Sequence, residues 1–300
     1  MLKIHLLGAP KPTNWSDPRI EFDPAIPLKD SDGLLAWGTI TREFLCYRGS
    51  RAWYLDEPLS HSMFRTPLFK TALRNLGEHE FLHHSNPNPK FRLPSPTHYG
   101  EATLSAPCER KNSAIAVVTN FGGRLWWFRS GARLRNAFIL HPNVELFGDI
   151  NSWKNFRRWP WSKPCQPSNY CGQIKSDWRF SEQVNLLAHY QRVVCFENSS
   201  LPYYFTEKFV NAVRAGCVPI YHAHTTVKNT ILPGARWIDP ADFNFDVSAT
   251  LAAAEKCDVE KFRKQNYQWL QKEQVKATNG YRIWSRIADL FVEQILGKVT

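Results

Sequence analysis

The plainest pattern along the chain is a set of short runs that are apolar at consecutive positions. Ala114-Ile-Ala-Val-Val-Thr119 is one, rich in β-branched residues. Such a run suits a strand covered on both faces, as in a parallel sheet. Arg192-Val-Val-Cys-Phe196 and Cys217-Val-Pro-Ile-Tyr221 read the same way, and Val144-Glu-Leu-Phe147 is a shorter strand closed by Gly148. Between the 192–196 and 217–221 runs lies a helical stretch with Phe209, Val210 and Val213 on one face. Thr206 is placed to cap its start and Gly216 to end it. Strand, helix, strand is the repeating unit of a parallel sheet. Helices are also predicted in the arginine-dense stretch ending at Leu140, in the stretch ending at Tyr190, and over 247–273 and 281–296. The last carries Ile283, Ile287, Leu290, Phe291 and Ile295 on one side. The alternation of elements predicts an α/β, doubly wound fold.

The first hundred residues are less regular. Met1–Gly8 reads as a first buried strand, and Ala52-Trp-Tyr-Leu55 as another, followed directly by Asp56-Glu57-Pro58. The Pro-rich stretch 85–96 reads as a loop near a domain boundary. Residues 149–180 show no clear element and are basic, aromatic and broken by proline, as in Trp153-Lys-Asn-Phe-Arg-Arg-Trp-Pro-Trp161.

A length of 300 residues suggests two domains, and 43% apolar residues suit a globular protein. No run of about 18 apolar residues predicts a membrane span. The seven cysteines contain no Cys-x-x-Cys pair, and Cys195 and Cys217 sit inside apolar runs, which argues against a zinc site or a disulfide framework. Cys165 and Cys171 are the one loosely paired candidate. Of the net charge of +11, residues 109–180 hold +8, as 12 basic minus 4 acidic groups. A patch of that sign attracts an anion: a nucleotide, a nucleic acid or an acidic membrane surface.

Ligands of open α/β sheets bind beyond the carboxyl ends of the strands. That position here holds Glu197-Asn198 and the start of the helix after Thr206. Glu207 opposes the positive end of that helix's dipole. Lys208 does not, and is unfavourable there by up to about 1 kcal/mol. A phosphate bound at the free N–H groups removes that penalty. The pair therefore reads as a nucleotide clamp, or equally as a solvated first turn. Arg124, Arg129, Arg133 and Arg135 follow the 114–119 strand, and an arginine can fork onto a phosphate. Gly122-Gly123 admits a phosphate or simply makes a turn. Glu57, at a strand end in the first half, is a candidate general base or an ordinary surface acid. The pairs His83-His84 and His222-Ala-His224 lack zinc-ligand spacing. Segment 153–161 suits base stacking, a packed loop or an acceptor-binding rim.

Taken together, Val194-Cys-Phe-Glu-Asn-Ser199, Tyr204-Phe-Thr-Glu-Lys208 and Ala215-Gly-Cys-Val-Pro-Ile-Tyr221 resemble the α-1,3/1,4-fucosyltransferases of glycosyltransferase family 10, in order and at the family's spacing. Asn120 with Arg135-Asn-Ala-Phe138, Val144–Gly148, Tyr170-Cys-Gly172 and Trp237–Phe243 are similar to it more weakly. The resemblance implies a GT-B fold, two Rossmann-like domains facing a central cleft. Residues 1–110 would bind the acceptor, 111–280 the GDP-sugar donor, and helix 281–300 would pack back on the first domain. It implies inverting transfer of L-fucose from GDP-β-L-fucose to a glycan hydroxyl, giving an α-linked fucoside. Arg135 and Lys208 would hold the diphosphate, Glu207 the ribose, and Asn198 and Tyr204 would touch the donor. Glu57 would be the general base. Arginine and lysine would do the work of a divalent ion, so no metal and no cofactor beyond the GDP-fucose donor is implied.

Two departures lie near the expected sugar pocket. Leu201-Pro-Tyr203 replaces the family's Gly-Tyr-Gly, and His222-Ala223 replaces Trp-Gly. A GT-B transferase using another nucleotide sugar is therefore an alternative. A basic polyanion-binding protein without catalysis is an alternative of another class. The sequon Asn198-Ser-Ser200 reads as part of the site. The corresponding expectation for location is a cytoplasmic protein, peripheral to the inner membrane through its basic patch, with no nucleic-acid partner.

Overall fold

The computed structural model describes residues 1–297 except 39, 58, 60–66, 106–108, 119–131, 150–165 and 175–180. Gly122-Gly123, Arg124, Arg129, Asn120, Cys165 and the 153–161 segment lie outside the described residues. The chain forms two compact units, Met1–Pro96 with Ala277–Thr300, and Thr97–Lys276.

The first unit is built on a five-stranded parallel sheet of β1 (Leu2–Leu7), β2 (Ile20–Asp23), β3 (Gly33–Trp37), β4 (Ser50–Leu55) and β5 (Phe81–His83), in the order β2-β1-β3-β4-β5. β1 alternates, with Leu2, Ile4 and Leu6 buried, whereas Ala52, Trp53, Tyr54 and Leu55 of β4 are all buried. That is the difference between a strand covered mainly on one face and one covered on both. Short helix α1 (Arg42–Cys46) starts at Thr41, whose hydroxyl accepts from Phe44 N–H at 3.4 Å. Helix α2 (Pro67–Asn75) follows β4.

The 281–296 periodicity is realised in the helix Gly280–Leu296, capped by the Asn279 side chain, which accepts from Tyr281 N–H at 2.8 Å. Ile283, Ile287 and Phe291 are buried as the pattern predicts, and Trp284 and Ala288 complete the face. Trp284 sits 5.2 Å from Phe22, 5.1 Å from Trp37 and 6.1 Å from Trp15, ring centre to ring centre. This aromatic cluster holds the helix to the sheet of the first unit.

The second unit carries β6 (Lys111–Val118), β7 (Val144–Gly148), β8 (Tyr170–Gln173), β9 (Tyr190–Val194) and β10 (Val218–Ile220), all parallel, in the order β10-β9-β6-β7-β8. Counted within the unit, that is the 3-2-1-4-5 order of a Rossmann sheet, read from the other edge. The order reverses between β6 and β9, which are neighbours. Its helices are α3 (Ala132–Ile139), α4 (Ser181–Ala188), α5 (Glu207–Arg214), α6 (Thr225–Thr230), α7 (Val247–Glu255), α8 (Val259–Leu270) and α9 (Glu273–Lys276); the Gly280–Leu296 helix of the first unit is α10. One core cluster gathers Ile115, Val193, Phe205, Phe209, Tyr221 and Trp269, and another gathers Ala116, Phe138, Val194, Phe196 and Leu251.

The helix predicted over 247–273 is two helices, because Asp258 caps α8 by accepting from Lys261 N–H at 3.0 Å. Gly216 ends α5 with φ +71°, and Arg110 donates to the carbonyls of Gly216 (2.5 Å) and Ala215 (2.9 Å). Carbonyls at a helix end otherwise lack partners. Strand β8 falls in the 149–180 stretch that showed no clear element. As an edge strand with one neighbour, it has only partly buried and exposed positions. Among the described residues, no helix is long and apolar enough to cross a membrane.

Candidate functional site

The neighbouring strands β6 and β9 end side by side where the strand order reverses, the usual ligand position in such sheets. Beyond β9 the chain runs through buried Cys195 and Phe196 to Glu197, which is 5% exposed. Its carboxylate is the hub of the site. Glu197 Oε1 accepts from Thr206 N–H at 2.8 Å and from the Tyr221 hydroxyl at 3.0 Å. Oε2 accepts from the Thr206 hydroxyl at 2.6 Å and stands 3.5 Å from the Lys208 ammonium. Burial pushes the Glu197 carboxyl above its ordinary pKa, while the Lys208 charge and the Thr206 bonds pull it back. The sequence places Glu197 beside Asn198 at the ligand end of the strand but points to no role for it. Its signal is a carboxylate directly after the apolar run Val193-Val-Cys-Phe196.

The network changes how α5 begins. Thr206 occupies the N-cap position with extended backbone, as expected, but its hydroxyl makes no capping bond. Its proton goes to Glu197, and its oxygen accepts from the Lys208 ammonium rather than from a first-turn N–H. The N–H groups of the first turn therefore receive no cap from Thr206. Lys208 Nζ is held by the Thr206 oxygen at 2.9 Å and by Glu207 Oε1 at 3.2 Å.

Arg135 reaches the same place from α3. It is buried, and its Nη1 donates to Asn198 Oδ1 at 2.5 Å. Arg135 and Lys208 thus contact consecutive residues, Asn198 and Glu197, at the end of β9. Arg133, two positions earlier on α3, is exposed.

Tyr204 is buried at the end of the 201–204 turn, where its N–H donates to Leu201 O at 3.2 Å. Tyr203 has φ +58°, which ordinarily calls for glycine. Its N–H donates to Thr226 Oγ1 at 2.7 Å, tying the turn to α6. Past β10, Asp239 accepts from His222 Nδ1 at 2.8 Å and pairs with Lys228 at 2.6 Å. Burial alone would raise the Asp239 carboxyl; the bonds from His222 and Lys228 overcome it and hold the group well below its ordinary range.

Arg135, Asn198, Tyr204, Glu207 and Lys208 therefore belong to one region of the second unit. Glu57 belongs to the first unit, half-buried in the bend after β4, where its carbonyl accepts from His83 Nε2 at 3.1 Å. Among the described residues no group of three or more His, Cys, Asp or Glu could hold a metal ion. The triplet Asp30-Ser-Asp32 has the spacing of a metal-binding Asp-x-Asp. It stands at the entry of β3, opposite the ligand-binding end of a strand, and Asp32 is engaged by Lys3 N–H at 2.7 Å.

Two Rossmann-like parallel-sheet units in one chain are the architecture of the GT-B fold. A crystal structure of an α1,3-fucosyltransferase superposes with TM-score 0.50 at 14% identity, over 97% of this chain and 90% of that one. T4 phage β-glucosyltransferase gives 0.51 at 10% identity, over 97% and 99%. A structure of the DNA-modifying enzyme β-glucosyltransferase gives 0.52 at 12%, over 96% and 98%. At these identities the likeness establishes the fold. Residues 163–288 match the family described as glycosyltransferase family 10 (fucosyltransferase), C-terminal. Comparison with curated proteins gives no match.

Proposed function

We propose that the chain transfers L-fucose from GDP-β-L-fucose to a glycan hydroxyl, with inversion, giving an α-linked fucoside. The observation that carries the reading is the meeting of Arg135 and Lys208 on adjacent residues at the strand-order reversal of the second unit. Two cations there suit a diphosphate. Beside them, the Glu207 carboxylate suits the hydroxyls of a ribose, and Asn198 and Tyr204 suit the rest of the donor.

In the proposed reaction the acceptor oxygen attacks the anomeric carbon as its bond to the β-phosphate oxygen breaks, and GDP leaves with the electron pair. The acceptor proton passes to Glu57. A base so placed contributes about 10²–10⁴-fold. Arg135 and Lys208 stabilise the charge that grows on the departing diphosphate, which is a term specific to the transition state. No divalent ion is assigned a role.

The test is a transfer assay across GDP-fucose, GDP-mannose and UDP-sugars with a panel of glycan acceptors, with and without EDTA. Transfer from GDP-fucose in EDTA, lost in Lys208→Ala and Arg135→Ala, supports the reading. Preference for another nucleotide sugar would favour the alternative that His222, held by Asp239 where the family has Trp, already raises. Binding of polyanions without any stabilisation by GDP would refute both.

A further inference from the structure

The exit of β4 is clamped by side chains that the proposed reaction does not use. In the parallel register His83 lies beside Leu55, two residues before Glu57. His83 Nε2 is 3.1 Å from Glu57 O, and its Nδ1 is 3.1 Å from Ser85 N and 2.5 Å from Ser85 Oγ. A carbonyl oxygen only accepts and a backbone N–H only donates. Both bonds therefore require the same tautomer, with the proton on Nε2 and the lone pair on Nδ1.

The preceding carbonyl, of Asp56, accepts from the Ser95 hydroxyl at 2.5 Å, and the carbonyl of Pro94, the residue before Ser95, accepts from the Tyr54 hydroxyl at 2.7 Å. Two successive carbonyls of a strand-end bend are thus held by side chains from β5 and from the 94–95 segment. Bends of this kind ordinarily face water. His83 and Ser95 are themselves buried. Burial also holds the His83 imidazole neutral, with its pKa lowered to about 4, and the tilted ring of His84, 3.8 Å away, lowered to about 2. The donor to Glu57 therefore keeps one protonation form across the neutral range.

We propose that His83 and Ser95 are positioning residues that fix the backbone of Glu57 and so aim its carboxylate. The inference rests on the reading of Glu57 as the base. A catalytic group must be held within about 0.5 Å of its productive place, and an error of about 1 Å can cost about 10²-fold in rate.

The two amide variants of His83 separate positioning from packing. His83→Asn keeps an acceptor near the Nδ1 position and loses the donor at Nε2; His83→Gln keeps a donor near Nε2. The expected result is a fall in kcat of about 10–100-fold for His83→Asn. His83→Gln recovers most of that loss, and the Kd for GDP stays within about twofold in both, because GDP is assigned to the other unit. Ser95→Ala lowers kcat in the same direction by a smaller factor and serves as the test should His83→Asn fail to fold. Equal kcat in the Asn and Gln variants, or unchanged kcat in Ser95→Ala, would overturn the proposal. Glu57→Gln is run alongside. If it is slow while His83→Asn is fast, the clamp alone is wrong. If it is fast, Glu57 is not the base and the clamp has no catalytic task.

Discussion

Replacing Glu197 with glutamine tests whether the buried carboxylate organises the donor site. The amide best keeps its oxygen at the Oε1 position, where Thr206 N–H and the Tyr221 hydroxyl donate from 2.8 and 3.0 Å. Its nitrogen then replaces Oε2 and brings two donors to face the Thr206 hydroxyl and the Lys208 ammonium, which previously stood 2.6 and 3.5 Å from an acceptor. The hydroxyl can turn to accept one of them. The other remains unpaired in a group that is 5% exposed. An unsatisfied buried donor costs about 1–3 kcal/mol. Removing the burial cost of a charge offsets part of this. A net loss of about 2 kcal/mol corresponds to a fall in Tm of roughly 4–8 °C for a unit of this size. Because Lys208 loses its anchor, GDP affinity falls by about tenfold, equivalent to about 1.4 kcal/mol. Thermal unfolding by near-UV circular dichroism and titration calorimetry with GDP measure the two effects. The sign of the pH dependence is also set. The folded pKa of Glu197 is raised, so its contribution is full below 4.5 and is lost as pH rises through the folded value. The stability gap between wild type and variant should therefore narrow as pH rises from 4.5. Equal Tm with equal GDP affinity, or a gap that widens, would refute the reasoning.

Arg135→Lys keeps the charge but not the fork, and should weaken GDP binding by about tenfold with little change in fold, read by calorimetry. Asp239→Asn should flatten the acid limb of unfolding. The lowered Asp239 carboxyl adds stability above 3.8 that is lost as pH falls towards its folded value, so wild type and variant should converge in acid and part near neutrality in urea titrations. Gly33→Ala should destabilise the first unit by about 1–3 kcal/mol, as an added Cβ meets Ile4 Cδ1 at 2.9 Å and Phe291 Cε1 and Ser50 O at 3.0 Å; the urea midpoint measures it.

The class of fold was legible because the central strands advertise it. Ala114–Val118 and the 192–196 run are apolar at nearly every position because both faces of those strands are covered. Edge position removes that signal: β8 reads Tyr-Cys-Gly-Gln with no buried residue, and nothing local marks it as a strand. The site divides along the same line. Lys208 and Glu207 are conspicuous because a helix start is a local feature with local electrostatics. The bond from Arg135 to Asn198 spans 63 residues, and it exists only because the strand order reverses between β6 and β9. Strand order is set by how crossovers pack, and no window of sequence contains it. Thr206 makes the point within one side chain. Its type and place predict a capping hydroxyl, and its backbone obeys. Yet a carboxylate nine residues back, brought inward by the strand it follows, takes the hydroxyl's proton, and the Lys208 ammonium occupies its oxygen in place of a first-turn N–H. The helix start is left with first-turn N–H groups uncapped by Thr206 and a lysine held among them. A local rule broken by a tertiary partner, at the position where the fold places ligands, is what distinguishes this turn from an ordinary solvated one.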